Sequence, residues 1–439
     1  MKSISVVALS LLAFALAYPG QSSGQGHSPS SSLNPGTLPM TVDQAVAEAM
    51  QGNPEIRTAS RQLSLSQLKT STARSLDDPM LMVRDWDTPL RQPWDLNQAQ
   101  LMFGLQRTLL SKDKRDAKAR IAGDDVDVAS SDLDAMRQEV AVEVRKSCAD
   151  LKRIADEMNL HDRQTSLLKE ALAGALAEYT TGKTSQAEVL KAQMAVTRMS
   201  EHLLRLEEER DTATAELNTL LGRHPEEPAE IVGSYATPIE PPSIESLEQT
   251  AIQNRPELVA LRKGITRAKD DGRLTRLAMK PDFTVAAGYM LMPTGSYSRS
   301  AYMAEMTMNL PRWNRDRHDG EAKQADAAAA VTESELEART KAVFLEVRRA
   351  QIETLVAERR MKLYRDTLMP QADAAFKAST AAYQNNRGDF QALVESQNLL
   401  LDIQDAYYSA SAAADKGIAE LERAIGAPVP TTSTQGRDK

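Results

Sequence analysis

The chain has one cysteine among 439 residues, few aromatic side chains and no excess of basic residues. Cys148 cannot form an internal disulfide, and its helical spacing from Val140 and Val144 predicts a small buried side chain. Aromatic residues make up only 4% of the chain, which leaves little bulk for thick globular cores and favours long helices. The net charge of -8 disfavours nucleic acid as a partner, since binding to phosphates needs a basic face.

Motifs that carry catalysis or hold a cofactor are also missing. The five histidines are scattered, with no pair at i, i+4, so we expect no metal site. Gly182, Lys183 and Thr184 resemble the end of a phosphate-binding loop. However, Ala177 occupies the position of its first glycine, and a helical pattern precedes it where a strand is needed. With no Ser-His-Asp order either, the sequence predicts neither an enzyme nor a bound cofactor.

The N-terminus carries a targeting pattern. An apolar run extends from Val6 to Ala17 and ends in the small-x-small site Ala15-Leu16-Ala17. This run is too short to span a membrane stably and is typical of a secretory signal peptide. We therefore expect a signal peptide over residues 1–17 and a flexible leader, rich in Ser, Gly and Pro, over residues 18–40.

The rest of the chain repeats itself after about two hundred residues. The matching positions are Pro54-Glu55 with Pro256-Glu257, Pro79 with Pro281, Tyr179 with Tyr383, and Gly222 with Gly426. A repeat of this kind indicates two copies of one structural unit. We expect a first repeat over residues 41–228, a linker over 229–242, a second repeat over 243–428, and a disordered tail over 429–439.

Long helical arms are predicted in both repeats. No proline occurs between Pro93 and Pro225, so a helix over residues 112–179 would extend for roughly 100 Å. In the second repeat Pro370 interrupts the matching arm, where we expect a kink or a break. Apolar residues recur at steps of three, four and seven along these arms, which indicates coiled-coil packing. The glycine of the Gly-Lys-Thr run is then the turn of a helical hairpin, with tips near residues 182 and 387.

Two pairs of extended stretches, at about residues 78–110 and 281–311, alternate apolar with polar side chains. Strands of about ten residues with one apolar face suit a transmembrane barrel. Four strands cannot close such a barrel, because known closed ones have at least about eight. Either the pairs are soluble hairpins, or several copies of the chain share one barrel.

Methionine is frequent in these stretches, at Met80, Met82, Met102, Met290, Met292 and Met303. Thioethers bind soft metal ions such as Cu(I) and Ag(I). Methionine is also an adaptable hydrophobic filler, and we favour that interpretation here. No bound metal is therefore predicted.

Taken together, the chain resembles the outer-membrane efflux factors of TolC type, particularly the branch found with heavy-metal exporters. The resemblance covers Thr41 to Pro428. It rests on the duplicated "NPE" and "RPE" helix starts, on "DDPMLMVRDWDTPL" before the first strand pair, and on "ELNTLLGRHP" paired with "ELERAIGAP" at the repeat ends. No single motif is specific, whereas their order and duplication are.

The resemblance implies a mainly α fold with a β-barrel part. Three copies would form a homotrimer with a twelve-stranded barrel in the outer membrane of a Gram-negative bacterium and a twelve-helix tunnel through the periplasm. Such a channel is the passive exit duct of a tripartite efflux system, for metal ions or small toxic compounds. Its partners would be a periplasmic adaptor and an inner-membrane pump. The alternative is a soluble periplasmic coiled-coil scaffold or adaptor without a barrel, against which the alternating strand faces argue.

The resemblance also implies rings of acidic side chains near the periplasmic hairpin tips. Glu188 and Glu395 match these positions as pore-gate candidates, and a threefold ring of carboxylates would attract cations. Ala392 stands where the family pattern has an aspartate, and Lys191 is expected opposite Glu395, so the ring is predicted to be weaker or mixed in charge. The alternative is that both glutamates are ordinary solvated helix residues.

The tips themselves are the candidates for contact with the adaptor or the pump. Gly182 and Lys183 lie at the first tip, and Arg387 and Gly388 lie at the second. Polar tips at the ends of long hairpins are exposed and free to bind partners. The alternative is an ordinary solvated turn at each position.

Overall fold

The computed structural model describes residues 39–86, 100–233, 242–292, 300–385 and 390–429, together with Ser296 and Arg387. The expected signal peptide lies outside these residues, as do most of the expected leader, linker and tail, and Gly388. Helices account for most of the described chain.

Two short helices, two strands and two long helical arms occur twice along the chain. The first set comprises β1 (Met40–Thr41), α1 (Val42–Gly52), α2 (Pro54–Ala73), β2 (Met80–Trp86), β3 (Gln100–Leu109), α3 (Lys112–Thr180) and α4 (Gln186–Leu221). The second comprises β4 (Ile231–Val232), α5 (Ile244–Asn254), α6 (Pro256–Leu277), β5 (Phe283–Leu291), β6 (Ser300–Met308), a 3-10 turn (Pro311–Asn314), α7 (Arg315–Leu363), a π-helical turn (Tyr364–Leu368), α8 (Met369–Gln384) and α9 (Phe390–Ile425).

The two long arms differ as their prolines predict. Helix α3 runs unbroken for 69 residues, which confirms the predicted long helix. In the second repeat the equivalent arm is divided by the π-helical turn, and α8 begins with Pro370 in its first turn. Proline lacks an N–H and its ring collides with the carbonyl four residues earlier, so the helix widens at this point. The predicted interruption at Pro370 is therefore confirmed.

The four longer strands form one antiparallel sheet in the order β2-β3-β5-β6. Its two central strands come from different repeats and pair with Gly104 opposite Gly288. A Cβ atom on Gly104 would lie 2.9 Å from the carbonyl oxygen of Ala287, so only glycine allows this close approach of the strands. The sheet thus fastens the two repeats together and leaves β2 and β6 as its edges.

The helices form a layer in which α3 and the α6/α9 pair are central. Helices α2 and α4 pack on one side of α3, and α6 and α9 pack on the other. Helices α6 and α9 also pack against α7, and α8 packs against α9. The layer therefore has two outer edges, formed by α2 with α4 and by α7 with α8. Among the described helices, none has an apolar segment of the length needed to cross a membrane.

Two apolar cores lie where the short helices of each repeat meet the long arms. The first core contains Cys148, which is 1% exposed, so the predicted small buried side chain is confirmed. Burial raises the pKa of its thiol to about 12. Because the thiolate is the reactive form, Cys148 serves packing in this position.

Candidate gate and partner-contact site at the hairpin tips

The first tip is a glycine turn between α3 and α4. Gly182 has φ of 72°, and its amide donates to the carbonyl of Tyr179 at 3.0 Å. The amide of Lys183 donates to the carbonyl of Glu178 at 2.9 Å, which satisfies a second carbonyl at the helix end. A Cβ on Gly182 would meet open space, so its left-handed backbone is the reason for glycine here. The predicted hairpin turn is confirmed.

The second tip repeats this geometry. The amide of Arg387 donates to the carbonyl of Ala382 at 2.9 Å, which is the bond that Lys183 makes to Glu178 in the first tip. Lys183 and Arg387 are both exposed. Gly388, the fourth predicted tip residue, lies outside the described part of the chain.

Glu188 belongs to the first turn of α4. The Ser185 hydroxyl caps this helix by accepting from the amide of Glu188 at 3.3 Å. The hydroxyl of Thr184 donates to the Glu188 carboxylate, which is half-buried. A carboxylate in the first turn also interacts favourably with the positive end of the helix dipole. Glu188 therefore has a local stabilising role whatever else it does.

The two tips lie close together, as the surroundings of Tyr383 on α8 show. Burial raises the pKa of Tyr383, and the nearby Glu178 and Glu188 carboxylates raise it further. Glu178 also shares a hydrogen bond with Tyr383. The first hairpin and the second hairpin are thus in contact just above their turns.

Glu395 has a different environment from Glu188, because it lies on the exposed side of α9. Its carboxylate accepts from the Gln391 amide at 2.9 Å, and Gln391 in turn accepts from the Lys191 ammonium at 2.9 Å. The expected neighbourhood of Lys191 and Glu395 therefore takes the form of a bridge through Gln391. Within one chain, α4 and α9 are joined by this bridge near the tips.

Glu395 and Lys191 also line a cavity of about 500 Å³ between α3, α4 and α9. Further acidic groups on its wall come from Asp402 and Asp405 of α9, and Arg198 adds a basic group from α4. The cavity wall therefore carries mixed charge.

The wall of this cavity also contains a buried polar contact that sequence reasoning missed. His161 of α3 is 5% exposed, and its Nε2 lies 3.1 Å from a carboxylate oxygen of Asp405. Its Nδ1 lies 2.9 Å from the sulfur of Met199 on α4. One imidazole thus joins all three helices.

Polar contacts continue on both sides of His161. Gln397 donates to Gln164 at 2.8 Å, and both side chains are buried. Arg153 donates to Glu157 at 2.7 Å and to Glu209 at 3.1 Å. Burial raises the pKa of Glu157 and Asp405 adds to the rise, while Arg153 opposes it.

The sequence signal for this polar layer was available. Positions 154, 157, 161, 164 and 168 continue the three-and-four spacing of the apolar seam of α3, but Glu, His and Gln occupy three of them. Polar residues at core positions of a seam set register and partner choice. Their partners, however, lie far along the chain.

Within the ranges that the structure covers, the His, Cys, Asp and Glu side chains form no group of three that could hold a metal ion. Exposed carboxylates such as Glu395 can still act on cations through their charge when symmetry repeats them.

The described part of the chain combines long helical hairpins with one four-stranded sheet, an architecture found in solved outer-membrane channels. The family model described as outer membrane efflux protein matches residues 45–223 and 247–427, so the chain belongs to the outer membrane efflux protein family. The predicted family resemblance is confirmed. The chain is an outer-membrane efflux component that extends into the periplasm, and the soluble scaffold is not favoured.

Similar proteins support the assignment over almost the whole chain. The cobalt-zinc-cadmium resistance protein CzcC of Cupriavidus metallidurans is 20% identical over 388 residues, covering 88% of this chain and 90% of CzcC. The solved structure of CusC has a TM-score of 0.74 at 14% identity, covering 89% of this chain and 93% of CusC. The open-state channel MtrE of Neisseria gonorrhoeae has a TM-score of 0.72 at 13% identity, covering 88% and 89% of the two chains. At these identities the structures establish the fold.

Proposed function

We propose that three copies of this chain assemble into one conduit that carries metal ions or small toxic compounds out through the outer membrane. Each copy would supply its two repeats, residues 41–228 and 243–428. The three four-stranded sheets would share one twelve-stranded barrel, and the helices would form a tunnel through the periplasm. A periplasmic adaptor and an inner-membrane pump, which the family implies, would deliver the substrate and the energy.

The open edges of the sheet carry this proposal. Among the described residues, strands β2 and β6 each have one hydrogen-bonded neighbour strand. The outward face of the sheet exposes large apolar side chains, namely Leu81, Val83, Phe103, Leu105, Val285, Tyr289, Tyr302 and Met306. A sheet with an apolar face can enter lipid only when it is closed, because unpaired backbone groups cost several kcal/mol each in hydrocarbon. Pairing of β6 with β2 of the next copy would close it.

The helical layer has matching edges. Helix α7 exposes Leu345, Ile352, Val356 and Leu363, which recur at steps of seven, four and seven. The opposite edge exposes Leu190, Met194 and Leu204 of α4. A seam with this spacing packs against a partner helix in a coiled coil. We infer that α7 of one copy packs against α4 of the next.

Metal ions are proposed as cargo because CzcC is a cobalt, zinc and cadmium resistance protein. The gate candidates fit cationic cargo, since three copies of Glu395 would place three carboxylates around one axis. Glu188 would act closer to the turn, next to the Thr184 hydroxyl. Lys183 and Arg387, both exposed at the tips, are the proposed contacts with the adaptor or the pump, together with Gly182 and Gly388.

The assembly is tested by the mass of the protein purified in mild detergent. We expect a trimer for the native chain and dissociation for Ile352→Glu, because a charge would be placed in the α7 seam. Leu399→Glu is the matched control. Leu399 is 51% exposed and Ile352 is 46% exposed, but Leu399 lies on the central helix α9. A native chain that stays monomeric in detergent and fails to insert into lipid would contradict the proposal.

The gate is tested by single-channel recording in a planar bilayer. Glu395→Gln should lower the preference for cations over anions, because it removes a repeated negative charge. Glu188→Gln should have a smaller effect, since this carboxylate is half-buried and held by Thr184. Unchanged ion preference in Glu395→Gln would assign Glu395 to the solvated surface.

A further inference from the structure

The two faces of the β-sheet differ in their large apolar side chains. Residues directly opposite each other on paired strands share a face. The outward face carries Leu, Val, Phe and Tyr together with Met306 and Met308, whereas five positions of the other face hold methionine and none of its described positions holds leucine. The five methionines are Met80, Met82, Met102, Met290 and Met303. The remaining described positions of that face in the four strands hold Gly, Ala, Thr, Gln, Arg and Glu, and Trp86 ends β2 on the same face.

This second face is concave. Arg84 lies on edge strand β2 and Glu305 lies on edge strand β6, yet their charged groups meet at 3.4 Å across the two central strands. The sheet therefore curls so that side chains of this face converge. Met102, in the middle of the curl, is fully buried.

Four of the methionines surround the glycine pair at the centre of the sheet. Met102 and Met290 are direct cross-strand partners. Met82 lies opposite Gly104, and Met303 lies opposite Gly288. The terminal methyl carbon of Met82 lies 3.4 Å from the point where a Cβ on Gly104 would stand. The missing side chain of Gly104 thus leaves space beside the Met82 thioether.

Hydrophobic packing alone does not account for this choice of residue. Leucine has a volume similar to that of methionine and replaces it in cores at little cost. The outward face of the same strands uses leucine repeatedly, and the concave face does not use it at all among its described side chains. What methionine adds is a soft, polarizable sulfur, and thioethers select soft ions such as Cu(I) and Ag(I).

We propose that Met82, Met102, Met290 and Met303 form a binding site for a soft monovalent metal ion, Cu(I) or Ag(I), on the concave face of the sheet. The four side chains belong to one chain, so the site does not require the trimer. Its position on the wall of the conduit does rest on the proposed function, because that function places the concave face inside the barrel.

Silver ions test the site directly. The purified full-length protein in detergent is incubated with silver nitrate and desalted, and the retained silver is measured by elemental analysis. We expect Met102→Leu with Met290→Leu to lose most of the retained silver. The matched control is Met306→Leu with Met308→Leu, which removes two thioethers from the outward face of β6 and should leave the retained silver unchanged. Equal retention by the two double variants would overturn the proposal.

A second measurement covers the case in which a variant misfolds. X-ray absorption at the silver edge of the native protein should report sulfur neighbours, and a spectrum with only oxygen or nitrogen neighbours would overturn the site. Potassium conductance in a planar bilayer tests the conduit separately from the methionine site. Loss of conductance in native and variant protein alike would count against the conduit, while silver retention would still decide the methionine site. A third readout is the binding of an apolar dye. If Met102→Leu with Met290→Leu lost dye binding but retained as much silver as the native protein, this face would be a site for organic compounds and the metal site would be rejected.

Discussion

The two repeats solve the same backbone problem with different chemistry. In each, a single non-helical residue separates two helices, Asn53 between α1 and α2 and Arg255 between α5 and α6. The backbone angles are nearly equal, with φ/ψ of -62°/129° and -68°/118°. Both residues are buried, at 3% and 2% exposure, and each precedes a proline in the first turn of the next helix.

The first repeat uses a neutral cap. The Asn53 side-chain oxygen accepts from the amides of Glu55 at 2.8 Å and Ile56 at 3.1 Å, and its amide donates to the carbonyl of Leu220 at 2.9 Å. Local hydrogen bonds therefore satisfy the start of α2 and tie it to α4.

The second repeat uses a buried charge instead. Arg255 makes no cap; its guanidinium donates to Glu346 of α7 and lies 3.6 Å from Glu257. The same backbone junction is thus tied to a long arm by an ion pair rather than by a cap. Duplication preserved the turn, while the side chains came to depend on different neighbours and on different physical forces.

The largest expected effect comes from removing the charge in the second repeat. Arg255→Ala leaves Glu346 half-buried without its main partner, and we expect a loss of about 3 kcal/mol of unfolding free energy. Arg339 remains beside Glu346 at 3.0 Å and keeps the loss near the lower end for buried pairs. Thermal unfolding followed by circular dichroism measures the change. The control is Arg349→Ala, because Arg349 is exposed on α7, the helix that carries Glu346. An equal loss of unfolding free energy in both variants would refute a special role for Arg255.

The second largest loss of stability is expected at Gly222, the glycine that ends α4. Gly222 has φ of 75°, and a Cβ there would lie 2.3 Å from the carbonyl oxygen of Gly52. Gly222→Ala should cost about 2 kcal/mol through backbone strain and overpacking. Gly182→Ala separates these causes, because Gly182 has the same backbone but open space around it. Equal losses in unfolding temperature would show that the contact with Gly52 contributes nothing.

The neutral cap should matter less than the ion pair. Asn53→Ala removes the acceptor at the start of α2, and loss of such a cap costs about 1 kcal/mol. Asn53→Asp keeps the acceptor but loses the donation to Leu220, so it should recover part of the stability at neutral pH. If Asn53→Ala proved as damaging as Arg255→Ala, the contrast between the two junctions would disappear.

The smallest effect should be a pH dependence confined to the second junction. Burial opposes ionisation of Glu346, but the guanidiniums of Arg255 and Arg339 hold its pKa below the ordinary value of 4.5. Because the folded pKa is lower than the unfolded one, this stabilisation is present above the unfolded value and is lost as pH falls through the folded value. As the pH falls from 4.5 through the lower folded pKa, the native unfolding temperature should therefore fall more steeply than that of Glu346→Gln. Parallel pH curves would refute the assignment.

Local patterns in the sequence determined the elements of this protein. The spacing of apolar residues and the absence of proline predict α3 as one long helix, and Pro370 predicts the interruption of its counterpart. Gly182 predicts the hairpin turn, and alternation predicts the strands. Each of these depends on interactions within a few residues, which a sequence displays directly.

Only the tertiary structure decided which distant residues meet. It placed Asp405 on His161, Gln391 between Lys191 and Glu395, and β3 beside β5 so that the methionines of two repeats share one face. These pairings join positions that are about two hundred residues apart, and several faces of similar polarity compete for each partner. Helix and strand periods specify which face a residue occupies, but the partner of that face is fixed by the packing of the whole chain.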